Sequence, residues 1–176
     1  MKRKDIKGQL KEYFFLHPTA RLRVRQMERE VKVPLPSAIR YAKELEMEGI
    51  LKSTIIAGIT VYAADRSSPH FLLEKKLHNL HSLYSSGLIA YLAAELSNPA
   101  IIIFGSYAKG EDVESSDIDL YIESASKNVS LEPFGKKLQR KIQLFQYKHL
   151  SLVKNKDLAN NIINGIVLNG FVEVFR

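Results

Sequence analysis

The sequence predicts an α/β fold of the α+β kind in two parts: a basic helical part that closes on a β-hairpin, and then a sheet flanked by helices. Three observations carry this reading. Apolar residues recur at helical spacing from Asp5 to Glu48 and give way to two short β-like runs. A polar, proline-terminated stretch, Asp65-Arg66-Ser67-Ser68-Pro69, then breaks the chain. Past it, the uninterrupted apolar run Ile101 to Phe104 reads as a buried strand.

Ile6, Leu10, Tyr13 and Phe14 lie at helical spacing, so residues 5–16 form an amphipathic helix that ends before His17-Pro18. Val24, Met27 and Val31 mark a second, short helix. Pro34-Leu35-Pro36 interrupts the chain, and Pro36 falls where the first turn of a helix tolerates proline. Along residues 37–48 the stripe Ala38, Ile39, Ala42 and Leu45 turns inward, leaving Ser37, Arg40, Tyr41, Lys43 and Glu44 outward. Residues 52–56 and 60–63 then pair as a hairpin through Ala57-Gly58-Ile59. Three helices followed by a hairpin make a winged helix. The segment from Pro36 to Leu51 resembles the recognition helix and wing entry of winged helix-turn-helix regulators, a likeness covering residues 5–65. It implies a DNA-binding domain over residues 1–66, with Ser37, Arg40 and Tyr41 at base edges or nearby phosphates of double-stranded DNA and Lys43 on its backbone. Arg21, Arg23 and Arg25 would line a phosphate path. Winged helices also mediate protein contacts, and for Tyr41 packing against the wing is an equal alternative.

Charge supports the same division. The 176 residues carry a formal charge of +7, and residues 1–66 hold 14 Lys and Arg against 8 Asp and Glu, while the remainder is close to neutral. A basic first third suits contact with nucleic acid phosphates, and a solvated basic surface is the plainer alternative. Without cysteine there is no disulfide framework and no thiolate metal site. Met1-Lys2-Arg3-Lys4 runs into the charged Asp5-Ile6-Lys7, unlike a secretory leader, and the apolar region 88–104 is broken by Glu95, Asn98 and Pro99. A cytoplasmic protein with no membrane partner is therefore expected.

After the join, Leu73, Leu77, Leu80 and Tyr84 predict a connecting helix over residues 67–87, which packs on one domain or pairs with a second subunit, leaving a homodimer open. His78 and His81 on it read as ordinary surface or boundary histidines, having no acidic or thiolate partner nearby in sequence. A further helix covers Leu88 to Leu96. From Ile101 the chain reads as a strand, a Gly105-Ser106 turn, a short polar loop, and a second strand opening with Asp117 and Asp119. Glycine lets the chain turn sharply and brings its N–H close to a phosphate oxygen, and Ser106 adds a hydroxyl donor. Two carboxylates two residues apart on a strand share a face and can hold Mg²⁺ together.

This order and spacing resemble the nucleotidyltransferase domain of the DNA polymerase beta superfamily, particularly its minimal prokaryotic members, over residues 88–176. Lys109 and Gly110 fit the same pattern, and residues 160–168 resemble the helix that commonly ends the minimal domain. The resemblance implies a mixed sheet flanked by helices, a nucleoside triphosphate such as ATP held by Gly105, Ser106 and Lys109, and Mg²⁺ on the catalytic residues Asp117 and Asp119. It also implies transfer of a nucleoside monophosphate to an acceptor, with a HEPN-type protein or a nucleic acid as candidate. Lys136, Lys137, Arg140 and Lys141 would extend a basic surface toward that acceptor. Members of the superfamily generally carry a third acidic residue on a later strand. The matching strand here is Lys141-Ile142-Gln143-Leu144-Phe145, where the aligned position holds Gln143, an amide with no charge and no basic function. Glu123, further along the strand face of Asp117 and Asp119, is a candidate substitute, and a plain solvent-facing strand end is the favoured reading for it. The alternative function is therefore a transcriptional regulator whose degenerate nucleotidyltransferase fold senses nucleotide.

Overall fold

The computed structural model describes residues 5–173, so the expected domain ends at 1–4 and 174–176 lie outside the described residues. Two compact units divide at Met1–His78 and Asn79–Arg176. The division falls inside one helix and not at the ends of a separate connector.

The first unit runs α1 (Ile6–Leu16), β1 (Arg21–Leu22), α2 (Val24–Val31), α3 (Leu35–Met47), β2 (Leu51–Ile56) and β3 (Ile59–Ala64), with the strands antiparallel in the order β1-β3-β2. The α1 helix begins where the Asp5 carboxylate accepts the Gly8 N–H at 2.9 Å, satisfying one of the donors a helix start leaves over. Leu10, Phe14, Met27, Ala38, Ala42 and Leu45 are wholly buried and form the centre of its core. Ile39, expected in that stripe, is 41% exposed, because Ala38, Ala42 and Leu45 set the inward line and Ile39 sits about 100° around the helix from Ala38. Ile56 pairs with Ile59, so the hairpin turn is Ala57-Gly58 alone, with φ of 49° and 75°. Two residues of positive φ match the right-handed twist of the flanking strands. The unforeseen β1 is two residues long, too short to leave a periodic signal.

The α4 helix (Pro69–Ser86) turns inward a line different from the leucine stripe. Phe71, Lys75, Asn79, Leu83 and Ser86 are buried, whereas Leu73, Leu77 and Tyr84 are more than half exposed. Spacing shows that a stripe exists but not which stripe meets the core. Among the described residues, no helix is long and apolar enough to cross a membrane.

The second unit continues with α5 (Leu88–Glu95), β4 (Ile101–Phe104), α6 (Gly105–Lys109), β5 (Ile118–Glu123), α7 (Glu132–Leu138), β6 (Ile142–Tyr147), a 3₁₀ turn at Leu150–Leu152, α8 (Lys156–Ile163) and β7 (Ile166–Asn169). Its sheet is mixed, ordered β6-β5-β4-β7: β4 lies antiparallel to β5 and β7, and β5 parallel to β6. Ile101, Ile103, Ile118, Leu120 and Ile122 pack on one face with Leu88 and Leu92 of α5. Ile102, Phe104 and Tyr121 pack on the other with Leu150 and Ile162. Burial on both faces explains why β4 reads as an unbroken apolar run. The closing segment 160–168, expected as one helix, is helical only to Ile163 and becomes β7 from Ile166. Gly165 makes the switch possible, since a Cβ there would meet the Ile103 carbonyl oxygen and Ile102 Cγ2, each at 2.5 Å.

We expect Gly165→Ala to destabilise the protein by about 1–3 kcal/mol, the usual cost of overpacking, because backbone cannot give way as a flexible side chain does. A denaturant midpoint unchanged from that of the unaltered protein would show that β7 is not held against β4 as described.

Candidate functional site

Because β4 is antiparallel to β5 and β5 is parallel to β6, the C-terminal end of β4 and the N-terminal ends of β5 and β6 meet at one end of the sheet. Gly105 and Ser106 follow β4, Asp117 precedes β5, and Asp119 pairs with Phe104 on one side and with Gln143 on the other. Asp119 shares its sheet face with Tyr121 and Phe104, at the rim of the smaller core cluster. The segment after β4 was expected as a turn and loop. It is a one-turn helix, α6, opened by Gly105 with φ of 75° and closed by Gly110, also at φ 75°.

Gly105 lies close against Asp119. A Cβ on Gly105 would stand 2.7 Å from Asp119 Oδ2 and would displace that carboxylate, and the φ of 75° independently favours glycine. Asp117 and Asp119 are half-buried, and neither side chain has a hydrogen-bond or ion-pair partner among the described residues. Burial, and after it the charge of Asp117, raises the Asp119 carboxyl above the ordinary aspartate range. Two adjacent carboxylates without a basic neighbour suit a divalent cation, and hard oxygen donors suit Mg²⁺ in particular. The donor set therefore fits the implied metal. Ser106 is half-buried at the helix start and Lys109 is exposed at its end.

Gln143 shares the face of Asp119 on the adjacent strand, where the aligned third carboxylate was expected, and it is exposed. Glu123 does not complete the site. It lies four residues along β5 from Asp119, about 13 Å at strand rise, and is bound to the Tyr121 hydroxyl and to His149 Nδ1. Among the described residues, no three His, Cys, Asp or Glu side chains gather in a metal-binding group.

Of the residues expected to extend a basic surface, Lys136, Lys137 and Lys141 are exposed, and Arg140 is not part of it. Lys136 pairs with Glu132, Lys137 donates to the carbonyls of Ser85 and Ser86, and Arg140 is buried against Asp112. Lys141 alone of the four stays exposed without such a partner. Sequence reading missed the buried polar residues Asn79, which falls on a helix line between apolar positions, and Asp112, which nothing in its polar loop distinguishes.

In the first unit, Arg40 and Lys43 are exposed on α3, and Ser37 is half-buried in its first turn. Tyr41 leans on the core of the unit. The Arg40 guanidinium lies over its ring at 4.3 Å and within 3.6 Å of Glu44, so it is held by its own helix. Arg21, Arg23 and Arg25 are all exposed.

Residues 87–170 match the family model described as Polymerase beta, Nucleotidyltransferase. The match holds every strand of the second unit's sheet and supports the nucleotidyltransferase superfamily for that segment. None of the curated proteins matches the chain.

The raised Asp119 carboxyl has a consequence for stability. An acid that holds its proton more tightly when folded stabilises the fold fully below its unfolded pKa and loses that contribution as pH rises through its folded value. Asp119→Asn is expected to raise the melting temperature at neutral pH, with the gain vanishing below the ordinary aspartate range. Equal melting of the two proteins at neutral pH would contradict the electrostatic description of the pair.

Proposed function

We propose that the second unit is a Mg²⁺-dependent nucleotidyltransferase, moving a nucleoside monophosphate from a nucleoside triphosphate to an acceptor hydroxyl. The observation that carries this is the unpartnered pair Asp117 and Asp119 beside the Gly105 turn, in a segment that matches the nucleotidyltransferase family. Asp117 and Asp119 would hold the cation, which when bound supplies neutralisation of charge on the triphosphate and on the departing pyrophosphate. Gly105 and Ser106 open α6, where N–H groups have no partner within the helix, and so would donate to phosphate oxygens together with the Ser106 hydroxyl. Lys109 adds positive charge from the end of that turn. The acceptor oxygen bonds to the α-phosphorus as the bond to pyrophosphate breaks, a reaction that depends mainly on positioning and electrostatics. A HEPN-type protein or a nucleic acid is the acceptor we favour, on resemblance alone.

Calorimetry with ATP, CTP, GTP and UTP should show Mg²⁺-dependent binding of at least one, weakened about tenfold or more by Asp117→Ala, Asp119→Ala or Gly105→Ala. Failure of all four nucleotides to bind with Mg²⁺ present would sink the assignment. Gln143 favours a second reading, a nucleotide-sensing regulator with a degenerate site, because the amide in register with Asp119 cannot serve as a base. Gln143→Asp should tighten Mg²⁺ binding, and transfer of labelled nucleotide that appears only in that variant would decide for the sensor.

For the first unit we propose a winged helix that binds duplex DNA through α3 and the exposed arginines near α2. Support comes from its order of helix, short strand, two helices and hairpin, and from its basic charge. Protein contact is the competing use, favoured at the hairpin tip, where Ile55 and Ile56 are 74% and 50% exposed and no charged residue occurs from Ser53 to Ala64. The full chain should bind duplex DNA with an affinity that falls steeply with salt, and Arg40→Ala and Lys43→Ala should weaken it. No binding at low salt would leave protein contact as the role of this unit.

A further inference from the structure

We infer that Asn79, Asp112 and Arg140 are positioning residues for the candidate site, a buried charged clamp that sets the course of residues 105–117 and the entry to β6. The inference rests on the proposed Mg²⁺-triphosphate reading of that site. Asp112 is 1% exposed and Arg140 8%. The Asn79 side-chain amide donates to Asp112 Oδ1 at 2.8 Å and to the Tyr107 carbonyl oxygen at 2.9 Å, while an Arg140 guanidinium nitrogen lies 3.5 Å from Asp112 Oδ2.

Each partner belongs to a different piece of the site. Tyr107 is in α6, the turn that begins with Gly105 and Ser106. Asp112 is in the segment that leads from α6 to Asp117, which contains no helix or strand and includes a turn between Val113 and Ser116 and a Glu111 N–H bond to the Ser106 carbonyl. Arg140 sits just ahead of β6, whose Gln143 pairs with Asp119. One cluster, reached from α4 by Asn79 alone, thus links the phosphate turn, the chain that delivers the first carboxylate, and the entry to the strand that carries the amide.

Stability does not account for such a cluster. Burying two charges costs desolvation that their attraction seldom exceeds, and apolar residues of similar volume often stabilise a core as well or better. Charged and hydrogen-bonded contacts impose direction, whereas apolar contacts permit sliding. Direction matters here, because displacements near 1 Å at groups that align a reaction are costly.

The test uses the full chain and separates stability from positioning. Asp112→Asn removes the charge facing Arg140 and should lower both the melting temperature and the affinity for the triphosphate with Mg²⁺. The double variant Asp112→Leu, Arg140→Met should recover the melting temperature, yet keep an affinity about tenfold or more below that of the unaltered protein. Amides of residues 105–117 should exchange faster in it. Affinity that recovers along with the melting temperature would overturn the inference, as would exchange at 105–117 no faster than in the unaltered protein. Should the double variant not fold, Asn79→Ala keeps the ion pair and releases the Tyr107 carbonyl; unchanged exchange and unchanged affinity in that variant would equally overturn it. If the unaltered protein binds no triphosphate, the functional reading falls, and amide exchange by itself decides the positioning.

Discussion

The antiparallel ladder between β4 and β5 is the constraint on which the second unit depends. Four residues, Ile101 to Phe104, pair with Ile122 to Asp119 and are buried on both sides. Both faces of this short ladder hold core: α5 packs on one, and the 3₁₀ turn and α8 on the other. Pairing Phe104 with Asp119 also brings the glycine after one strand against a carboxylate at the start of the next, and the 2.7 Å limit on a Cβ at Gly105 measures how tightly. A register slip of one residue would send Asp119 to the opposite face and end that approach.

Electrostatically the site is built against its own stability. Asp117 and Asp119 repel each other, and the chain offers neither a lysine nor an arginine nor an N–H to offset the repulsion among the described residues. Several other carboxylates of the same unit are matched, and Glu111 and Asp157, unmatched among the described residues, are exposed. Asp112 has Asn79 and Arg140, Glu123 has Tyr121 and His149, and Glu95 has Lys127. Asp117 and Asp119 differ from the exposed Glu111 and Asp157 in being half-buried as well as unmatched, the contrast on which the proposed cation site rests.

Much of this was legible in the residues themselves. The Ile101 to Phe104 run declared its strand with the bounds observed, because burial on both faces writes an apolar block that no other element of that length needs. Gly105, Asp117 and Asp119 were singled out by their order along the chain, and the fold brings them to one end of the sheet. The leucines of α4 misled, since Leu73 and Leu77 form the better stripe yet face away from the core, while Lys75 and Asn79 occupy the buried line. Arg140 misled likewise, read within a basic run and found inside the protein.

What the sequence by itself determined is local: helix starts such as Asp5, the alternation and apolar blocks of strands, a hairpin turn around Gly58, and the placing of two carboxylates at the start of β5. These follow from backbone geometry over a few residues, which the side chains of those residues control. Only the tertiary structure decided that Gly105 abuts Asp119, that Gln143 falls in register with it, that residues 166–169 leave the helical course to become β7, and that Asn79 reaches Asp112 and Tyr107. Each of these joins residues from separate elements, and such contacts arise from packing whole elements so that buried polar groups find partners, a condition that no local stretch of chain encodes.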